Sequence, residues 1–362
     1  MTEPTLEQIL AAKVPTDVFG DPPAGEDTET WFRVRHRDIS KLFHPDLNPH
    51  PRAGEAQKKL NELYEKAKQA EKDVLISTRD AEYSFSPILF EVGDLCDVFL
   101  GTRLKGGKTE EAVFKVAHSA DNSDLLAREQ KVLEEMWSHV EAESLEFFGY
   151  TIPRPFGGLR LSDSRPISVL KRHQGVTAAD IRKRFPNGIP PEQVAWMLTR
   201  LLTTIAMAHK YGQLHGSVLP EHLLVRWDNA KKHRHAKILD WTASVPLGEK
   251  LKVFFPDHIL FYPPEAFNKH EVTPATDLYM FGQTANYLLG GDLKNRRVPD
   301  HVPGPLRGAI QACLIPSTNR RPDDCGRFLT DVLRPALAEV WGSPKYMDFN
   351  LPEISSGETP PS

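Results

Sequence analysis

His215-Gly216-Ser217-Val218-Leu219-Pro220-Glu221-His222-Leu223-Leu224-Val225 is the stretch on which the reading of this chain turns. It passes from a His-Gly-Ser turn through Pro220 into an apolar strand, Leu223-Leu224-Val225. After a polar turn from Asn229 to Arg234, a second short strand closes on Ile238-Leu239-Asp240-Trp241-Thr242. Upstream lie three β-rich runs, Pro87 to Gly93, Asp97 to Leu100 and Glu111 to Val116, parted by polar turns such as Lys105-Gly106-Gly107-Lys108. A helix from Ser123 to Val140 follows, and after Gln193 the chain is mostly helical. Trp196, Met197, Leu198, Leu201, Leu202, Ile205 and Met207 read as the core of a long helix, and Gly290-Gly291 as the cap of a later one. A small strand-rich lobe followed by a helical lobe is an α+β pattern.

Composition bounds the function. A length of 362 residues suggests two domains, and the 40% hydrophobic share supplies an ample core. The 45 basic and 49 acidic residues leave a net charge of −4, which argues against a chain-wide nucleic-acid binder. Cys96, Cys313 and Cys325 have no metal-ligand spacing, and an odd count without a signal peptide implies a reducing cytoplasm. No apolar run approaches membrane-spanning length, so no membrane partner is expected. The basic patch Lys231-Lys232-His233-Arg234-His235 reads as an exposed hairpin tip.

The order of the elements around the opening stretch resembles the protein kinases. A kinase loop reads His-Arg-Asp, then a Lys, then an Asn. Its Asp takes the substrate proton, its Lys neutralises phosphate charge and its Asn holds a magnesium ion. Here Ser217 replaces that Asp, Leu219 the Lys and His222 the Asn, while His215 remains. Other landmarks come in order. Lys115 in Val113-Phe114-Lys115 matches the ATP-binding Lys, and Glu129 on the next helix its ion-pair partner. Asp240 matches the metal-binding Asp, with Trp241-Thr242 for Phe-Gly, and Pro263-Pro264-Glu265 matches the end of the activation segment. Asp277 matches the Asp that anchors the loop, and Arg321 the partner of Glu265. The glycine-rich loop is degraded: Gly93 stands at its second glycine and Cys96 at its third, with Asp94 and Asp97 beside them.

The resemblance implies a kinase-like domain that is inactive. A positioned general base contributes about 10²–10⁴ in rate, and the Ser217 hydroxyl is not ionised at neutral pH. Leu219 removes a cation, and His222 is a poor ligand for hard Mg²⁺. No catalytic residue is therefore expected from His215, Ser217 and His222. Gly93, Lys115, Glu129 and Asp240 leave ATP binding open, with Asp240 as the ligand of a magnesium ion.

The first seventy-odd residues read as helical. From Thr30 to Phe43, apolar Phe32, Ile39, Leu42 and Phe43 share one side, and Arg33, Arg37 and Lys41 recur every fourth residue. Pro45 stops that helix, and a second runs from Ala53 to Lys72 with Leu60, Leu63, Tyr64 and Ala67 inward. His44-Pro45-Asp46 in the connecting loop, with the basic face before it, resembles a J-domain over residues 5–73. That resemblance implies docking on a DnaK-type heat-shock chaperone through His44, Pro45, Asp46, Arg33, Arg37 and Lys41. The segment Phe19-Gly20-Asp21-Pro22-Pro23-Ala24-Gly25 departs from the J-domain pattern.

The sequence thus divides into a J-domain-like helical domain at 1–73, a linker at 74–83, a kinase-like domain at 84–345 and a disordered tail at 346–362. The leading expectation is a cytoplasmic co-chaperone that stimulates a DnaK-type ATPase, its inactive kinase-like domain binding nucleotide or a client protein. The alternative is an active atypical Ser/Thr protein kinase; a second alternative is a non-enzymatic scaffold.

Overall fold

The computed structural model describes residues 3–23, 28–45, 47–69, 73–120, 123–140, 145–228, 233–268 and 270–343. Asp46, Lys72, Lys231, Lys232 and the tail from 346 lie outside the described residues. The chain divides into two compact units, one holding the residues up to Ser123 with Phe156–Arg172, the other Asp124–Pro155 with the residues from His173 onward.

The first unit opens with four helices: α1 (Leu6–Ala11), α2 (Thr16–Phe19), α3 (Thr28–Phe43) and α4 (Ala53–Gln69). Thr5 and Gln8 form a reciprocal capping box that starts α1. His36 of α3 stacks on Tyr64 and hydrogen-bonds Asn61, while Ser40 meets Gln57, so α3 and α4 run antiparallel. Phe32 and Ile39 of α3, two turns apart, and Leu60 and Leu63 of α4, three residues apart, are fully buried, as a shared helical face requires. Phe19, Ile9 and Ile88 join the same core.

Ile88 belongs to a six-stranded sheet. Its strands are β1 (Val74–Ser77), β2 (Glu82–Val92), β3 (Cys96–Lys105), β4 (Lys108–Ala117), β5 (Pro155–Arg160) and β6 (Pro166–Lys171), in the order β1-β2-β3-β4-β6-β5. The stretch expected to be a linker thus contains a strand: Val74 to Ser77 pairs with Phe85 to Glu82. The alternation Val74-Leu75-Ile76-Ser77 was too short to stand out, and its order comes from pairing with a neighbour. Lys105 and Lys108 pair across a two-residue turn in which Gly106 and Gly107 have φ of 57° and 75°. Positive φ at both positions suits the right-handed twist of a hairpin and selects glycine. Around Pro87, which has no N–H to give, β2 shifts register against β3.

The second unit is mostly helical. Its elements are α5 (Ser123–Ser138), α6 (Leu145–Thr151), β7 (Val176–Thr177), α7 (Ala178–Lys183), α8 (Pro191–Lys210), β8 (Gln213–Leu214), β9 (Leu223–Asp228), β10 (His233–Ile238), β11 (Val245–Pro246), α9 (Pro264–Phe267), α10 (Pro274–Leu288) and α11 (Gly304–Cys313), followed by a helical end to Trp341. Pro191 starts α8 at a position whose N–H would be unpaired in any case. Val194, Met197, Leu198, Leu201 and Ile205 are its buried stripe, whereas Trp196 and Met207, expected in the core, are only half-buried. Nearly every residue of α10 is buried, which makes it the central post of the unit.

Candidate functional site

Asp277, in the first turn of α10, is fully buried and organises the loop from His215 to His222. Its Oδ2 accepts from the His215 N–H at 2.8 Å and its Oδ1 from the Gly216 N–H at 2.9 Å. His209 Nε2, on the last turn of α8, donates to Oδ2 at 2.8 Å. Burial alone would raise the Asp277 carboxyl; the hydrogen bond and charge of His209, with the Gly216 N–H, outweigh it and hold the group below the usual carboxylate range. Gly216 has φ of 76°, and a Cβ there would sit 2.6 Å from Ala243 O. The Arg that the kinases carry at this position has no room here.

His215 is fully buried and packs edge-on against Trp241 at 4.5 Å. Its Nδ1 accepts from the Ser217 N–H at 3.2 Å, so Nε2 carries the proton and donates to Leu239 O at 3.1 Å. Burial, only partly offset by the Asp277 charge, lowers its pKa from 6.5 to about 4. It is a neutral structural bracket between the loop and the end of β10.

Ser217 is also fully buried, and its hydroxyl donates to Asp240 O at 3.1 Å. A hydroxyl committed to a backbone carbonyl inside the protein meets no substrate proton. Leu219 is buried too. His222 Nδ1 donates to Ser217 O at 2.8 Å, which turns Nε2 towards Asp240 Oδ2 at 3.5 Å. Asp240 itself has φ of 56°, a left-handed conformation rare outside glycine. The Thr242 N–H and hydroxyl both donate to its Oδ1. About a quarter of its side chain, 24%, remains exposed.

Further brackets fix this arrangement. Glu129 on α5 is fully buried and accepts from the Trp241 N–H at 3.2 Å. Glu265 on α9 pairs with Arg321 at 2.7 Å, and Arg321 also donates to Ala275 O and Ile315 O. The second unit therefore brings together His215, Ser217, His222, Asp240, Glu129, Asp277 and the Glu265–Arg321 pair. Sequence reasoning missed His209: a His at a helix end is unremarkable until the fold sets it against Asp277.

Gly93 and Lys115 belong to the first unit. Lys115 is buried on β4, its backbone opposite Val98 of β3 and Ser168 of β6. Gly93 lies in the β2–β3 turn, where a Cβ would be 2.5 Å from Cys96 O. Asp97, beside the degraded glycine loop, is engaged with His118 Nε2 at 3.0 Å. In the same unit, Arg33, Arg37, Lys41, His44 and Pro45 are exposed, with Asp38 between two of the basic groups, 3.1 Å from Arg37 and 3.7 Å from Lys41.

No protein-family model matches the chain. It is similar to the serine/threonine-protein kinases drp72 of Corynebacterium efficiens, 28% identical over 124 residues, which is 34% of this chain and 23% of that one. It is also similar to serine/threonine-protein kinase F of Synechocystis, 30% identical over 146 residues, 36% of this chain and 28% of that one. The chain thus spans about a quarter of the length of these relatives. Among solved structures, a double mutant of the PknI kinase domain of Mycobacterium tuberculosis matches with a TM-score of 0.52 at 19% identity, covering 70% of this chain and 95% of that one. A single mutant of the same domain gives 0.53 at 18% identity, covering 72% and 97%. These likenesses establish a mixed α+β, protein-kinase-like fold. They overturn the leading expectation of a J-domain co-chaperone: both curated relatives and the solved neighbours are protein kinases, which favours the kinase alternative. The His-Pro-Asp turn carried that expectation, and a short tripeptide between two amphipathic helices is weak support. No helix among the described residues is long and apolar enough to cross a membrane.

Proposed function

We propose that the chain is an atypical Ser/Thr protein kinase that binds ATP with a divalent metal ion and transfers phosphate slowly. The observation that carries this is Asp240, held in a left-handed conformation beside a loop that Asp277 pins through two backbone N–H groups. That much order around one partly exposed carboxylate serves a ligand better than it serves stability. On the first unit, Lys115 is our proposed phosphate contact, and the close β2–β3 turn at Gly93 suits backbone approach to a nucleotide. On the second, Asp240 is the metal ligand and Glu129 fixes the segment that bears it.

ATP supplies the phosphoryl group, and its metal ion neutralises the charge that develops. The chain's own part is positioning. Kinase transfer passes through a loose transition state in which positioning and electrostatics dominate. Losing the loop carboxylate therefore slows the reaction by about 10²–10⁴ rather than changing its nature. Ser217 supplies no base, for the geometric reason given above.

Nucleotide binding tests the reading first. ADP with a divalent metal should raise the melting temperature of the full chain, since a ligand stabilises the state it binds. Lys115→Ala should shrink that rise. A melting temperature indifferent to nucleotide in the unmodified chain would refute it.

A further inference from the structure

We infer that His222 and Asp240 form a mixed nitrogen–oxygen site that selects a first-row transition cation over magnesium. This rests on the nucleotide-and-metal reading above but concerns which ion the chain prefers. The fold family implies Mg²⁺ held by two oxygen donors, and the second donor is not present: the residue at that position is His222. Imidazole suits transition cations, whereas Mg²⁺ favours oxygen and dehydrates reluctantly.

Three observations make His222 a ligand rather than a bystander. Its Nδ1–H donates to Ser217 O at 2.8 Å, which turns Nε2 towards Asp240 and leaves it able, in the neutral ring, to offer a lone pair there. An orienting hydrogen bond to a backbone carbonyl is the usual second-sphere device behind a metal-bound imidazole. Next, Nε2 stands 3.5 Å from Asp240 Oδ2. Two electron-rich donors at that separation can share one cation at bond lengths of about 2.0–2.2 Å. Finally, both groups keep partial exposure, 15% and 24% of their side chains, so an ion with its remaining ligands can reach them. Phe255 lies edge-on to the imidazole at 5.7 Å, which limits its rotation. Among the described residues no set of three or more His, Cys, Asp or Glu side chains gathers at a metal-binding distance. In the inferred site, water or nucleotide phosphate fills the remaining coordination positions.

The test is titration of the full-length chain with Co²⁺ and with Mg²⁺, each with and without ADP, read by the visible absorption of bound Co²⁺ and by melting temperature. The unmodified chain should bind Co²⁺ more tightly than Mg²⁺ in both arms. His222→Asn should weaken Co²⁺ by about tenfold or more and leave Mg²⁺ unchanged or improved. Asp240→Asn should weaken both ions. An unchanged Co²⁺-to-Mg²⁺ preference in His222→Asn would overturn the inference, even if nucleotide binds normally. If nucleotide fails to bind with any ion, the kinase reading falls, and the metal-only arm still decides the His222–Asp240 site.

Discussion

His215 and Asp277 lie within one hydrogen-bonded cluster, and both make the loop sensitive to acid. In the unfolded chain His215 titrates near 6.5; in the folded protein its pKa is about 4. Between these values the unfolded state holds the extra proton, so stability falls as pH is lowered through that window and levels off below it. The full effect is about 3 kcal/mol. Asp277, with a folded pKa below the usual 3.8, adds stability that is complete above that value and is lost only as pH falls further, through the folded pKa. Melting temperatures from pH 7 to pH 4 should therefore drop more steeply for the unmodified chain than for His215→Gln. Equal slopes would mean that His215 does not stay neutral when folded. Gly216 offers a second residue-scale check. Its φ of 76° and the 2.6 Å approach to Ala243 O leave no place for a side chain. Gly216→Ala should cost about 1–3 kcal/mol from backbone strain alone, read as a lower urea midpoint. The resemblance already gave Asp277 as the anchor of this loop, but the His209 contact to Asp277 and the close approach of Gly216 to Ala243 were not legible, because contacts between residues far apart in the chain leave no local spacing to read.

At the scale of elements, the sequence was most legible where a period or a turn dictates structure. The Gly106-Gly107 hairpin, the buried stripe of α8 and the α3–α4 pair all follow from side-chain spacing or from positive φ. It was least legible where pairing decides, as in β1, whose four residues carry too little alternation to be seen alone. The same limit hid the core that joins the helices to the sheet, since Ile88 of β2 packs with Phe32, Ile39 and Leu60. That shared core predicts coupling. Leu60→Ala should cost about 2–5 kcal/mol, and hydrogen exchange should quicken in β2 as well as in α3 and α4. Faster exchange confined to the two helices would mean that they unfold as a separate body.

For the whole molecule, the kinase-like architecture was written in landmarks that are far apart in sequence yet fixed in order, and in the second unit Asp277 pins the His215–His222 loop while Glu265 pairs with Arg321. The function was harder to read, because a tripeptide such as His44-Pro45-Asp46 can resemble a known module on sequence alone. Three substitutions in the loop weighed towards inactivity in the sequence. The geometry refines this: Ser217 is lost as a base, while Asp240 keeps an ordered, partly exposed carboxylate. Replacing Ser217 by Asp should not restore ordinary kinase rates, because Leu219 and His222 remain and the new carboxylate would be buried beside the Asp240 carbonyl. The most direct test of the central claim is transfer of radiolabelled γ-phosphate from ATP to a generic Ser/Thr protein substrate by the purified full-length chain, with Mg²⁺ or Co²⁺. The account predicts slow transfer, about 10²–10⁴ below an intact kinase, that disappears in Asp240→Asn. Transfer that survives Asp240→Asn, or no transfer with either ion from a chain that binds nucleotide, would contradict it.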